Sequence, residues 1–249
     1  MSDEEVFSHH EACPSCGSQD NVGVWKDGHK YCFGCGWKSA GTRSISSMKA
    51  RLEELAEDDR TSGTIIDTRN HTISFPREVI QWLTKYGISK QEISFYRLRW
   101  DTSRESLVFP VYSGDTLVLT NERYFGSKKD HPKYLTQGRK NSVLPVIMDK
   151  GNKSDTLIFV EDFVSAIKVG RQFPTTPLLG ASLAIGSVLT ARQRFKNCRI
   201  WLDMDKAVKS LQEASKASQY MNASSIFTQY DPKEYTDDEI RSFVKATTG

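Results

Sequence analysis

Leu157-Ile158-Phe159-Val160-Glu161-Asp162-Phe163-Val164-Ser165-Ala166-Ile167-Lys168 decides the fold. Its first four residues form a short, wholly apolar run of the kind a strand takes when both its faces are covered. The polar pair Glu161-Asp162 ends that run, and from Phe163 to Gln172 the pattern is helical. Pro177–Leu179 and Arg199–Leu202 repeat the short apolar run, and Ser225–Thr228 closes with another. Lys206–Met221 between them is amphipathic, with Val208, Leu211 and Ala214 on one side. Strands alternating with helices of this length predict a mostly parallel sheet.

Upstream the rhythm differs. Pro76 opens a helix that Val79, Ile80 and Leu83 pin to a core and Gly87 stops. Ser89 and Glu92 have the spacing of a capping box for a second short helix. Ser106–Tyr112 and Thr116–Asn121 are β-rich runs on either side of Ser113-Gly114-Asp115, a hairpin signal. The fold class expected is therefore α/β in the mixed, α+β sense.

In a parallel sheet the residues at the carboxyl ends of strands converge on one crevice. Glu161 follows one expected strand, Asp203 follows another, and Asp205 lies two residues further on. Three carboxylates there could share a hard cation such as Mg²⁺ or Mn²⁺. The same residues also suit helix N-caps and an exposed strand end, and spacing alone leaves both readings open. Asp231, in Asp231-Pro232-Lys233-Glu234, could add a carboxylate or simply form a turn.

The amino-terminal part reads separately. Cys13-Pro14-Ser15-Cys16 and Cys32-Phe33-Gly34-Cys35 are two C-x₂-C turns, the pattern of a tetrahedral zinc site. Gly17 and Gly36 let each turn close, and Val22–Trp25 with Lys30–Phe33 form a hairpin across Asp27-Gly28. Four of the five cysteines cluster here, which in a reducing compartment indicates metal rather than disulfides. His29 could replace a thiolate; with four present it reads as a surface residue free to meet a partner. Residues 1–40 are thus expected to be a zinc ribbon, 41–63 a flexible linker with a short helix from Met48 to Glu57, and 64 onward a compact domain dividing near residue 150.

Hydrophobic residues make up 38% of the 249 and charged residues 26%, the proportions of a soluble globular chain. The apolar runs are too short to span a bilayer, and no signal peptide is evident, so no membrane partner and a cytoplasmic setting are expected (a host cytoplasm if the chain is viral). A net charge of +3 decides little. Arg123, Lys128, Lys129, Lys133, Arg139 and Lys140 are interleaved with Tyr124, Phe125 and Tyr134, a composition suited to single-stranded nucleic acid, although such runs are more often solvated faces. Cys198 reads as a small core hydrophobe.

Taken in order, these segments resemble the primase half of bacteriophage primase–helicases and the bacterial replicative (DnaG-type) primases. Tyr31-Cys32-Phe33-Gly34-Cys35-Gly36 resembles the second knuckle of the primase zinc domain. Leu107–Val111, Asn121–Gly126 and Pro132–Leu135 resemble the opening strand and basic motifs of the RNA-polymerase domain. Phe159–Phe163, Leu179–Ser182 and Trp201–Asp205 are similar to three successive Toprim motifs. The resemblance implies a zinc ribbon at 1–40, the N-terminal part of an RNA-polymerase domain from 64 to 150, and that domain's Toprim subdomain from 151 to 249.

It also implies roles. Cys13, Cys16, Cys32 and Cys35 would bind Zn²⁺, and Glu161, Asp203, Asp205 and, less directly, Asp231 would bind two catalytic Mg²⁺ or Mn²⁺ ions. Arg123 and Lys133 would hold phosphates, Asp27 and His29 would contact template bases, and Lys128, Lys129 and Arg139 would contact nucleic acid. Single-stranded DNA and ribonucleoside triphosphates are the implied substrates, with a replicative helicase and a DNA polymerase as further partners. All four ligands are cysteine, unlike many bacterial primases, and no Walker phosphate loop occurs, so the chain is a free-standing primase or a piece of a fusion. The competing readings are a Toprim nuclease or topoisomerase-like enzyme and a non-catalytic zinc module for single-stranded DNA.

Overall fold

The computed structural model describes residues 7–26, 28–35, 37–39, 53, 66–128, 131–138, 144–147, 154–180 and 182–247. Nearly all of the expected 41–63 linker and its helix, together with Asp27, Gly36, Lys129, Arg139, Lys140 and Ala181, fall outside the described residues.

Three sheets organise the described residues. The first is antiparallel, in the order β1 (Phe7–Glu11), β2 (Val22–Trp25), β3 (Lys30–Cys32) and β4 (Lys38–Ser39). Its described core contains only Cys13, Val22, Val24 and Cys32, with Trp37 against them. A core that small does not hold a fold by apolar burial, so the thiols at its centre must be tied together.

The second sheet is also antiparallel, running β5 (His71–Thr72), β6 (Arg99–Asp101), β7 (Ser106–Ser113), β8 (Thr116–Tyr124) and β9 (Tyr134–Gly138). The expected hairpin is β7–β8, extended by three residues to Tyr124. Two helices precede its long strands, α1 (Arg77–Lys85) and α2 (Lys90–Phe95). Pro76 stands at the N-cap of α1, and Gly87, with φ of 68°, turns the chain away after it. The Ser89–Glu92 capping box opens α2.

The third sheet is parallel, in the order β11 (Thr175–Pro177), β10 (Thr156–Val160), β12 (Asn197–Trp201) and β13 (Asn222–Ser225). Helices α3 (Phe163–Gly170), α4 (Ile185–Arg192), α5 (Ala207–Ala217) and α6 (Asp237–Ala246) accompany it. The period of two along β10 divides the core. Ile158 and Val160 join the cluster that includes Phe109, Leu83, Phe163 and Trp201, while Leu157 and Phe159 join Val188, Cys198, Ile200 and Ala214 on the other face. The Phe109 and Phe163 rings stack at 5.2 Å, so the antiparallel and parallel sheets share one core. Cys198 is fully buried within β12, as expected.

Several element bounds need correction. The strand expected at Pro177–Leu179 lies at Thr175–Pro177, because Leu179 adopts a left-handed φ of 56° and turns the chain out of the sheet. The last strand lies at Asn222–Ser225 rather than Ser225–Thr228, the helix from Phe163 ends at Gly170, and Arg199–Leu202 is shifted to Asn197–Trp201. Helix α5 starts only after a 3₁₀ turn at Met204–Lys206, and of its expected apolar stripe it buries Ala214 but turns Val208 and Leu211 outward. Val208 and Leu211 are 70% and 54% exposed, whereas Ser210, Glu213, Ala214 and Ala217 are buried. Two polar anchors outweigh the stripe: the Ser210 hydroxyl donates to the Ile200 carbonyl, and Glu213 accepts the Leu183 N–H while paired with Lys209 and Lys216. Among the described residues no helix is long and apolar enough to cross a membrane.

Candidate active site

In the parallel sheet the chain moves from β10 to β11 on one side, then returns to place β12 on the other. The carboxyl ends of β10 and β12 therefore lie side by side at the switch of strand order, with Val160 paired to Trp201. Glu161 leaves β10 there, and Asp203 leaves β12 two residues past its end. A cavity of about 260 Å³ opens at this point. Asp162, Asp203, Asp231 and Glu161 form its acidic side, and Lys233 stands among them.

Local structure fixes each group. Asp162 caps α3, accepting the Ser165 N–H at 2.8 Å, so its second oxygen is free to face Lys233 at 3.1 Å. Asp231 and Pro232 start a 3₁₀ turn, closed by a capping box with Glu234, that carries Lys233 inward. Lys233 Nζ lies 3.1 Å from Asp203 Oδ2 and 3.0 Å from Asp231 Oδ2, while Lys206 pairs with Glu161 Oε1. Burial pushes the Asp203 carboxyl up to about 7 against the pull of Lys233, with the negative charges of Asp162, Asp231 and Glu161 adding to the rise. Burial would lower the Lys233 ammonium, but the surrounding carboxylates outweigh it and hold it above the usual lysine range.

The opposite wall is basic and aromatic. Arg123 on β8, Lys133 just before β9, and Tyr134 face the acids, joined by Asn121 of β8, Trp82 of α1 and Tyr86 at that helix's C-cap. The Arg123 guanidinium carbon lies 4.3 Å from the Trp82 ring centre, and Nη1 donates to the Tyr134 hydroxyl at 2.6 Å. Leu179 and Gly180 complete the lining, and the φ of 145° at Gly180 requires glycine.

Of the residues read from the sequence, Glu161, Asp203, Asp231, Arg123 and Lys133 meet in this cavity. Asp205 is exposed on the 3₁₀ turn and is not among the lining residues; Lys128 is also exposed and outside it. Asp27, Lys129 and Arg139 lie outside the described residues. His29 is in the ribbon, its ring stacked on Trp25 at 4.4 Å with an interplanar angle of 11°. Sequence reasoning gave no role to Asp162, Asn121, Trp82, Tyr86 or Lys233. Adjacency to Glu161 and Asp231 was a usable signal for Asp162 and Lys233, whereas Trp82, some 40 residues before Arg123, offered none.

In the ribbon all four thiols are free of disulfides and lie within 4.8 Å of one another. Cys13 and Cys35 are 3.7 Å apart, Cys16 and Cys32 3.8 Å, matching the ~3.8 Å edge of a tetrahedron with metal–sulfur bonds of about 2.3 Å. The donor set therefore fits zinc. Gly17, with φ of 71°, closes the first turn as expected.

No family model matches the chain. A DNA helicase/primase of Enterobacteria phage T3 is 32% identical over 62 residues, which is 25% of this chain and 10% of that protein. Three solved structures share the architecture. The primase fragment of the bacteriophage T7 primase-helicase protein aligns at a TM-score of 0.51 with 18% identity, covering 98% of this chain and 100% of that one. The Aquifex aeolicus primase, in its zinc-binding and RNA-polymerase domains, aligns at 0.51 with 15% identity, covering 95% and 78%. A DNA primase domain from Pseudomonas aeruginosa gives 0.59 with 14% identity, covering 78% of each chain. The chain thus has the mixed α/β fold of the zinc-binding and RNA-polymerase domains of phage and bacterial primases, with a four-cysteine ribbon ahead of a parallel sheet.

Proposed function

We propose that the chain is a DNA-templated RNA primase. The observation that carries this reading is the meeting, in one cavity, of strand-end carboxylates with a basic wall: Glu161 and Asp203 opposite Arg123 and Lys133. Such a cavity suits a triphosphate held by cations on one side and by guanidinium and ammonium groups on the other.

Residues 1–40 serve as the template-reading ribbon, 41–63 as its tether, 64–150 as the nucleotide-holding part and 151–249 as the metal-holding Toprim part. Glu161 and Asp203 hold Mg²⁺ or Mn²⁺ at the strand ends, with Asp205 close by on the adjoining turn. Bound there, the metal supplies charge neutralisation and alignment for phosphoryl chemistry. Arg123, braced by Trp82 and Tyr134, and Lys133 bind the phosphates of the incoming ribonucleotide. The reaction they support joins the 3′-oxygen of one ribonucleotide to the α-phosphorus of the next; the hydroxyl proton is lost and pyrophosphate leaves. The cysteine-bound zinc keeps the ribbon folded, so that Asp27 and His29 can meet template bases, while Lys128, Lys129 and Arg139 contact the nucleic-acid backbone. A replicative helicase and a DNA polymerase are candidate partners for this role, in the cytoplasm.

Pyrophosphate release tests the reading. It should require ribonucleotides, single-stranded DNA and a divalent metal together, and should vanish in Asp203→Ala. DNA cleavage without pyrophosphate would replace the primase with a Toprim nuclease, and zinc-dependent DNA binding without either reaction would indicate a binding module.

A further inference from the structure

Two lysines divide the oxygens of the acidic cavity unevenly. Lys233, its side chain 11% exposed, places Nζ within 3.1 Å of Asp162 Oδ2 and Asp203 Oδ2 and 3.0 Å from Asp231 Oδ2. The ammonium donates to Asp162 and Asp203 and pairs ionically with Asp231, so three carboxylates surround it. Lys206 takes Glu161 Oε1. Glu161 Oε2 and Asp203 Oδ1 are left over, both buried and both without a hydrogen-bond partner. A buried polar atom left unpaired is costly, and more so when charged. Two such oxygens on adjacent strand ends mark the place of a ligand that takes oxygen donors, namely a hard cation. Among the described residues, the four cysteines are the one group of three or more candidate ligands whose donor atoms all lie within 4.8 Å of one another. The acids form no second cage of that kind.

We propose that this cavity takes one divalent ion, between Glu161 Oε2 and Asp203 Oδ1, and that the Lys233 ammonium is its second, resident cation. Asp203 bridges the two, giving Oδ1 to the metal and Oδ2 to Lys233. Asp162 and Asp231 then belong to the lysine. The two divalent ions implied by the resemblance become one divalent ion and one ammonium. A resident charge of +1 in place of +2 leaves Arg123 and Lys133 to neutralise more of the triphosphate. The inference rests on the reading of the cavity as a phosphate-transfer site, but its test needs no RNA synthesis.

The test is a titration of the zinc-loaded chain with Mn²⁺ alone, followed by calorimetry and by the electron paramagnetic resonance signal of free Mn²⁺. Wild type should bind about one tight ion, Lys233→Met about two, and Lys233→Arg about one, since removing the cation exposes three carboxylates to a second metal. Asp203→Asn should weaken the tight ion by ~10-fold or more, whereas Asp231→Asn should shift it no more than about threefold. Two tight ions in wild type, a single ion in a folded Lys233→Met, or a tenfold loss in Asp231→Asn would overturn the inference. Asp231→Asn settles the matter even where Lys233→Met does not fold. A wild type that holds two Mn²⁺ and makes RNA leaves the primase reading intact without the lysine. The expected counts in a chain that makes no RNA leave the lysine in place without the primase.

Discussion

Arg123 is held between Trp82 and Tyr134, 4.3 Å from the indole centre and 2.6 Å from the phenolic oxygen. The two contacts come from α1 and β9 and converge on a β8 side chain, so the helix ahead of the sheet sets the aim of the basic wall. Removing the indole should cost about 1–2 kcal/mol of cation–π positioning, a roughly 5–30-fold rise in KM for nucleotides in Trp82→Leu. Trp82→Phe, which keeps a ring face, should lie between. Steady-state kinetics at saturating template checks this; an unchanged KM in Trp82→Leu would show that Arg123 needs no brace.

The parallel sheet was legible because its apolar runs are bounded by polar residues, and Glu161 and Asp203 could be placed at strand ends without coordinates. The ribbon was legible from cysteine spacing alone. What escaped was set by contacts between distant segments. Helix α5 buries Ser210 and Glu213 rather than Val208 and Leu211 because its partners, the Ile200 carbonyl and the Leu183 N–H, are invisible in the helix's own periodicity. The strand expected at Pro177–Leu179 failed at Leu179, whose left-handed backbone no leucine signals in advance. Lys233 looked like part of a turn because its three carboxylate partners come from the cap of α3, the segment after β12 and its own turn.

Glu92 links α2 to the end of α3, accepting from Arg171 Nε at 2.7 Å across 79 residues of sequence while also capping its own helix. Burial alone would raise its carboxyl, but Arg171 and the Ser89 amide and hydroxyl outweigh burial and hold it below the usual glutamate range. A depressed folded-state value contributes stability above the ordinary glutamate pKa, and that contribution is lost as pH falls through the folded value. Glu92→Gln should therefore cost about 1–2 kcal/mol near neutral pH, with the difference from wild type closing below about pH 4. Urea unfolding of both proteins across pH measures it, and a gap independent of pH would contradict the ion pair's role.

Zinc removal should act on the ribbon alone. Its apolar core is too small to persist without the metal, while the two larger sheets share a core that contains no metal-binding thiol. A strong chelator should release about one zinc per chain and expose residues 7–39 to protease, as should Cys32→Ser, with the main thermal transition unmoved. A shift of the main transition would show that the ribbon supports the rest of the fold.

The most direct measurement of the central claim is RNA synthesis itself. Purified chain is incubated with a library of single-stranded DNA, four ribonucleotides (one labelled) and Mg²⁺, and the products are resolved on a denaturing gel. The account predicts a ladder of short RNA that depends on DNA and is absent in Asp203→Ala and in EDTA. Labelled RNA undiminished in Asp203→Ala, or none from a zinc- and Mg²⁺-loaded wild type on any template, would contradict it.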